Sequence, residues 1–389
     1  MFISKFMNKI YEQNLWTKFI FVPFIIVNSI FNTVNSGKCC DCCDECFNSG
    51  EKNEEEIFSK EKSKLIEIQD GEQNLEVLKK IFDLILSKSN KEENGLQVTQ
   101  ITEKGGFSVV FKCKIKEFYF CVKQLKTKYD MLNTPGKKTE KTCLEREIKN
   151  MDILKDKEGF LDFYGGYVYK DNIFLCMEYC ELGDLDDYLQ KNDVSAIYNN
   201  FYKDILGILK TLRENKITHK DIKPANFLVK RTNNSATLKL ADFGLSSEAQ
   251  NSEPDKNLIS KAKCGCYAYK SPVFKNFYIK QNEINVALNA YDFYNAYNED
   301  LFSAACIMYM MKNKENPDFC SILTSSDGKE EILKKFKKDI EAFKTYLNSE
   351  DFSNNKDELY NKIFWKFKEK KDNETIDIDE FINELNTNN

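Results

Sequence analysis

The sequence predicts an α+β chain with room for about two domains or one large bilobal one. Three observations carry this. The 389 residues are 42% hydrophobic, enough for a sizeable core. Apolar strand-like runs such as Phe118–Lys123 punctuate the middle of the chain. Between them lie stretches with helical spacing, as in Leu144, Ile148, Met151 and Leu154. A net charge of −5 argues against a general nucleic-acid role.

The chain divides into residues 1–50, 51–95 and 96–386. The first part holds an apolar stretch, Phe19–Phe31, of 13 residues. That is about 20 Å as a helix, against roughly 30 Å of hydrocarbon. Extended from Leu15 to Val34 it is long enough to span. Five of the 14 cysteines follow it: Cys39, Cys40, Cys42, Cys43 and Cys46. Three readings stand side by side: a membrane anchor with palmitoylated cysteines, a signal peptide cut after Ser36, or a cysteine-metal knot beside an interfacial helix. Lys5, Lys9 and Lys18 precede the stretch and acids follow it, so a spanning segment would place the rest of the chain outside the cytosol. An interfacial or hairpin insertion bent at Pro23 avoids this. The part from 51 to 95 opens with a solvated acidic and lysine-rich linker. Glu72–Lys88 then reads as an amphipathic helix with Leu75, Leu78, Phe82 and Ile85 on one face.

The densest signal lies in the third part. The only histidine opens His219-Lys220-Asp221-Ile222-Lys223-Pro224-Ala225-Asn226, and Asp242-Phe243-Gly244 follows. The pair resembles the catalytic loop H-R-D-x-x-x-x-N and the D-F-G of eukaryotic protein kinases. Upstream, Ile101–Phe111 resembles the family's glycine-rich loop through Gly105, Gly106, Phe107, Ser108 and Val110, although Glu103 stands where the first glycine belongs. Cys121-Val122-Lys123 resembles the end of V-A-I-K. Ile173–Leu185 resembles the strand and hinge that join two lobes. Downstream, Gly265–Val273 occupies the place of G-T-x-x-Y-x-A-P-E, and Asn298–Met308 resembles the buried helix D-x-W-S-x-G, with Asp300 bracing the catalytic loop. The likeness covers roughly residues 96 to 386.

The resemblance implies an α+β two-lobed fold. A small antiparallel β lobe of five strands with one main helix (about 96–180) precedes a larger, mostly helical lobe (about 181–386), with an ATP cleft between. It implies Asp221 as catalytic base and Lys223 as phosphate neutraliser. Gly105, Gly106, Phe107, Ser108, Val110, Cys121, Lys123, Glu147, Met177, Glu178, Cys180, Asp184 and Leu228 would bind ATP, and Asn226 and Asp242 would hold Mg²⁺. Glu145 rivals Glu147 as partner of Lys123. Asp184 reads equally as a ribose contact and as a helix N-cap. Lys223-Pro224 points to the Ser/Thr branch, with protein hydroxyls as substrate.

Departures from the family pattern cluster. The three arginines, Arg146, Arg213 and Arg231, occupy no family arginine slot. Lys220 replaces the catalytic-loop arginine, which puts activation by loop phosphorylation in doubt. Val273 replaces the glutamate of A-P-E, and the late segment Asn373–Asp377 lacks its arginine partner. Both members missing together read as a replaced strut. Cys266 replaces a threonine that helps position the base. The alternative to an active enzyme is a pseudokinase acting as a membrane-tethered scaffold. ATP, Mg²⁺ and the usual substrates favour a cytosol-facing kinase domain; a secretory-pathway location, where Asn233 and Asn373 would be glycosylation sites, is the alternative. The remaining cysteines read as buried free thiols. Lys128–Thr142 and Asn276–Asn298 read as inserted surface loops.

Overall fold

The computed structural model describes residues 65–68, 76–87, 92–93, 95–101, 108–134, 138–233, 235–248, 266–283, 296–323, 327–369 and 376–387. The apolar stretch, the cysteine cluster, the linker and the loop residues Glu103, Gly105, Gly106 and Phe107 lie outside them. Two compact units emerge: among the described residues, 65–156 with 161–179, and 157–160 with 180–387.

The first unit is a β-sheet. Its five long strands are β3 (Leu96–Gln100), β4 (Ser108–Ile115), β5 (Phe118–Leu125), β6 (Phe163–Tyr169) and β7 (Asn172–Glu178), after the short β1 (Ile66–Glu67) and β2 (Glu92–Glu93). The order is β1-β6-β7-β5-β4-β3-β2. All pairs are antiparallel except β1 on β6. Side chains alternate across each strand. Phe174 and Cys176 of β7 therefore share a face with Tyr167, Tyr169, Phe120 and Val122, and the whole face is buried.

What buries it is helix α1 (Glu76–Leu86), the amphipathic segment expected from the sequence. Leu78, Ile81, Phe82, Leu84 and Ile85 enter that core, and Phe82 stacks on Phe174 with ring centroids 4.1 Å apart. Asp83 accepts from Tyr169 Oη and Lys170 Nζ, the latter at 2.7 Å. Helix α2 (Lys138–Leu154) buries Leu144, Ile148, Met151 and Leu154, and its Ile148, like Leu175 of β7, lies against Gly166 of β6. Helix α2 is the one main helix expected between residues 96 and 180, and α1, from the segment before it, covers the sheet as well. A chain cut immediately before β3 would bare an aromatic sheet face.

The second unit is mostly helical. It holds α3 (Leu185–Lys191), α4 (Tyr198–Glu214), α5 (Pro272–Glu283), α6 (Ala296–Asn313), α7 (Lys329–Leu347), α8 (Glu350–Asn354), α9 (Leu359–Glu369) and α10 (Ile378–Thr387). Helix α6 is buried along most of its length: Leu301, Phe302, Ala304, Ala305, Cys306 and Ile307 are fully buried, and the polar Glu299, Asp300 and Ser303 nearly so. Phe302 meets Phe319, Phe343 and Phe364 in one aromatic cluster. Short strands β8 (Ile217–Thr218) and β11 (Ser247–Glu248) pair, as do β9 (Phe227–Arg231) and β10 (Ala236–Leu240).

Both expected surface loops are partly helical. Lys128–Thr142 contains a 3₁₀ turn at Asp130–Asn133 that buries Leu132, and α2 already begins at Lys138. Asn276–Asn298 starts inside α5 and ends inside α6, with residues 284–295 outside the described set. Phe274 and Tyr278, four apart, give α5 an apolar face that packs on Phe336 of α7. That face outweighs the Asn-rich composition. The eight described cysteines form no disulfide, and all but Cys143 and Cys266 are buried.

Candidate active site

In the first unit, Lys123 Nζ lies 2.7 Å from Glu147 Oε1, joining β5 to α2. Glu145 is exposed, so the rivalry between the two glutamates is settled for Glu147. Ser108 and Val110 lie on β4, and Val110 sits opposite Lys123 in the ladder. Cys121 sits opposite Met177. Burial pushes the Cys121 thiol up to about 12, so it is an inert apolar surface at neutral pH. Glu178 N–H is taken by Asp162 O at 2.9 Å, and its side chain accepts from Asp162 N–H at 3.2 Å.

The second unit builds the loop around Asp221. Asp300 of α6 accepts from the N–H of His219 at 2.7 Å and of Lys220 at 2.9 Å. Burial raises the Asp300 carboxyl, opposed by the charge of Lys270 and by those two donors. His219 Nδ1 accepts from Asp221 N–H at 3.3 Å, so the proton sits on Nε2, which donates to Ala241 O at 3.1 Å. The ring also meets Phe243 edge-on, centroids 5.0 Å apart. The single histidine thus braces the loop through both ring nitrogens.

Asp221 is 6% exposed and its carboxylate is gripped on both oxygens. Oδ2 accepts from Lys223 Nζ at 2.7 Å and Asn226 Nδ2 at 3.0 Å, while Oδ1 accepts from Cys266 N–H at 2.7 Å. Burial works against the Lys223 ammonium, but the bond and charge of Asp221 more than offset it and hold Lys223 above the ordinary lysine range. Cys266 contributes its backbone, so the missing threonine hydroxyl does not leave Asp221 without a donor from that segment. Burial pushes the Cys266 thiol up.

Asn226 donates to Asp221 O as well, at 2.8 Å, which commits its NH₂ inward. Ala241 N–H donates to Asn226 O at 2.9 Å, which brings Asp242 alongside. Asp242 is exposed with φ +65°, in the sparsely populated left-handed region. Two hard oxygen donors on adjoining backbone fit Mg²⁺. Leu228 forms an isolated bridge with Asp184, and Asp184 Oδ1 accepts from Asp187 N–H at 2.9 Å as the N-cap of α3. Cys180 is buried.

Sequence reasoning missed several contacts. Lys275 Nζ pairs with Asp339 Oδ2 at 2.7 Å, both side chains 1% exposed, and also donates to Phe319 O at 2.7 Å and Ala268 O at 3.3 Å. Two residues after Val273, it joins α5 to α7. Near the late segment, Arg213 of α4 donates to Ile376 O at 2.9 Å and Asn298 accepts from Ile376 N–H at 3.0 Å.

Comparisons with known proteins agree with this geometry. Residues 97–374 match the protein kinase domain, and the chain belongs to that family. Over 176 residues it is 31% identical to the human serine/threonine-protein kinase ULK1, covering 43% of this chain and 16% of the human protein. It is 34% identical over 138 residues to protein kinase wis1 of Schizosaccharomyces pombe, 34% of this chain and 21% of that one. Serine/threonine-protein kinase cds1 of the same yeast is 28% identical over 233 residues, 58% of this chain and 46% of the relative. The chain spans less than half the length of each of these relatives.

Proposed function

We propose that the chain is an ATP-dependent protein kinase that transfers the γ-phosphoryl group to a serine or threonine hydroxyl. The observation that carries this is the Asp221 carboxylate, held by Lys223, Asn226 and Cys266 N–H. Phosphoryl transfer needs positioning and charge neutralisation more than covalent chemistry. Asp221 would orient the attacking hydroxyl and take its proton. Lys223, 2.7 Å away, would meet charge developing on the transferred group. Lys123, fixed by Glu147, would bind the α- and β-phosphates. Cys121 and Leu228 would flank the adenine, and Met177 would act as gatekeeper. With its N–H taken, Glu178 would meet the adenine edge through its carbonyl, and Cys180 through its backbone. Asn226 and Asp242 would hold Mg²⁺, which when bound neutralises phosphate charge.

Serine/threonine preference is supported by Lys223-Pro224 and by the likeness to the serine/threonine-protein kinases ULK1 and cds1. Membrane association through the Phe19–Phe31 stretch and its cysteines, with the kinase facing the cytosol, rests on sequence alone. Among the described residues no helix is long and apolar enough to cross a membrane. The test is phosphate transfer from labelled ATP with Mg²⁺ by the full chain, with Asp221→Asn and Asp242→Ala as controls. Incorporation should vanish in both variants while their melting temperatures stay near that of the parent. A folded, inactive parent whose melting temperature Mg²⁺-ATP does not raise would instead support the scaffold reading.

A further inference from the structure

Lys270 falls on an unspecified position of the Gly265–Val273 motif, yet it is 2% exposed and lies beside the catalytic loop. Its Nζ donates to the carbonyl oxygen of Lys220 at 2.7 Å. That carbonyl belongs to the peptide leading directly into Asp221. Lys220 has φ +68°, a left-handed conformation that a residue with a Cβ holds only when its surroundings impose it. Asp300 supplies half of that constraint through the N–H groups of His219 and Lys220. Lys270 supplies the other half, a cation on the carbonyl side. A buried ammonium is a poor choice for packing alone, since an apolar side chain fills space without losing hydration.

The segment around Lys270 is itself pinned. Ser271 N–H donates to Glu299 Oε2 at 2.9 Å, Ser303 Oγ donates to Tyr269 O at 2.9 Å, and Lys275 reaches Ala268 O. The stretch 266–271 therefore touches the catalytic loop twice: at the Asp221 carboxylate through Cys266 N–H, and one peptide earlier through Lys270.

We propose that Lys270 is a positioning residue for phosphoryl transfer, fixing the Lys220–Asp221 peptide, and so the aim of the Asp221 carboxylate, from the side opposite Asp300. The proposal rests on the kinase reading above. Misaiming a reacting group by about 1 Å is enough to lose on the order of 10²-fold in rate.

The experiment uses the full chain with Lys270→Met and Lys270→Arg, measuring kcat, KM for Mg²⁺-ATP, melting temperature and amide exchange over His219–Asn226. In Lys270→Met, kcat should fall by about 10²-fold with KM for ATP little changed, the split expected for an interaction that matters in the transition state. Exchange over the loop should quicken, and Lys270→Arg should recover most of the rate. Since Lys270 also faces the buried carboxylates of Glu299 and Asp300, Lys270→Met combined with Glu299→Gln provides a charge-matched variant if the single one fails to fold. A folded Lys270→Met with parental kcat and parental exchange overturns the proposal. So does full recovery of kcat in the charge-matched variant, which would make Lys270 a charge balancer only. If the parent itself shows no Asp221-dependent transfer, the kinase reading is what fails, and the exchange measurement still decides whether Lys270 holds the loop.

Discussion

Two lysine–carboxylate pairs in this protein have the same 2.7 Å contact and do different work. Lys123–Glu147 bridges one strand and one helix, and 16% of the lysine side chain remains exposed. Lys275–Asp339 is sealed at 1% on both sides. Its ammonium donates to three acceptors, and Asp339 also accepts from Ser321 Oγ at 2.5 Å. It therefore fastens α5, α7 and the stretches at Ala268 and Phe319–Ser321. Distance alone does not separate a pair proposed to meet a ligand from one that closes a fold; burial does.

Breaking the sealed pair should have the largest effect. Lys275→Met leaves Asp339 in the core without its cation, and removing one member of such a pair destabilises by about 3–5 kcal/mol. Chemical denaturation of the second unit should show this. Lys275→Met with Asp339→Leu removes both charges, and most of the loss should return, since an apolar pair of similar volume is often as stable. If the double variant is no better than the single one, the three carbonyl and hydroxyl contacts, rather than the ion pair, hold these helices together.

Breaking the reachable pair should shift function instead. Lys123→Met should reduce turnover by roughly 10²–10³-fold, the scale for losing one preorganised electrostatic contact to a reacting group. Its ligand-free melting temperature should stay close to the parent's, while the rise produced by Mg²⁺-ATP should shrink. Glu145→Gln, on the exposed side of the same helix, should change stability by no more than about 0.5 kcal/mol and leave turnover alone. A collapse of the fold in Lys123→Met would erase the contrast between the two pairs.

The same contrast explains what the sequence disclosed. Asp221, Asn226, Asp242, Lys123 and Glu147 were singled out because the family's motifs fix residue types in a set order, and the structure puts Asn226 on Asp221 and Glu147 on Lys123. Lys275–Asp339 and Lys270–Lys220 were not. Their partners are 64 and 50 residues apart, and with 57 basic and 62 acidic side chains in the chain no spacing rule selects one pair. Periodicity found α1, its buried face and its packing on the small lobe, but not which face of the sheet it covers. Composition misled at Asn276–Asn298, where the Phe274/Tyr278 face continues a helix through Asn-rich sequence.

Asp184 offers the smallest and sharpest test, because one residue carries both readings. As the N-cap of α3 its Oδ1 accepts from Asp187 N–H at 2.9 Å. Truncation to Ala should cost about 1 kcal/mol, and Asp184→Asn should restore it, since asparagine caps as well as aspartate. The cap reading further requires that KM for ATP be the same in the parent and in Asp184→Asn. A ribose contact through the charged carboxylate makes a different demand: in Asp184→Asn, stability would return while KM for ATP rose several-fold, because a charge-assisted hydrogen bond is roughly twice as strong as a neutral one. Measuring stability and KM in this one variant separates a group closed on its own helix from one held open for the nucleotide.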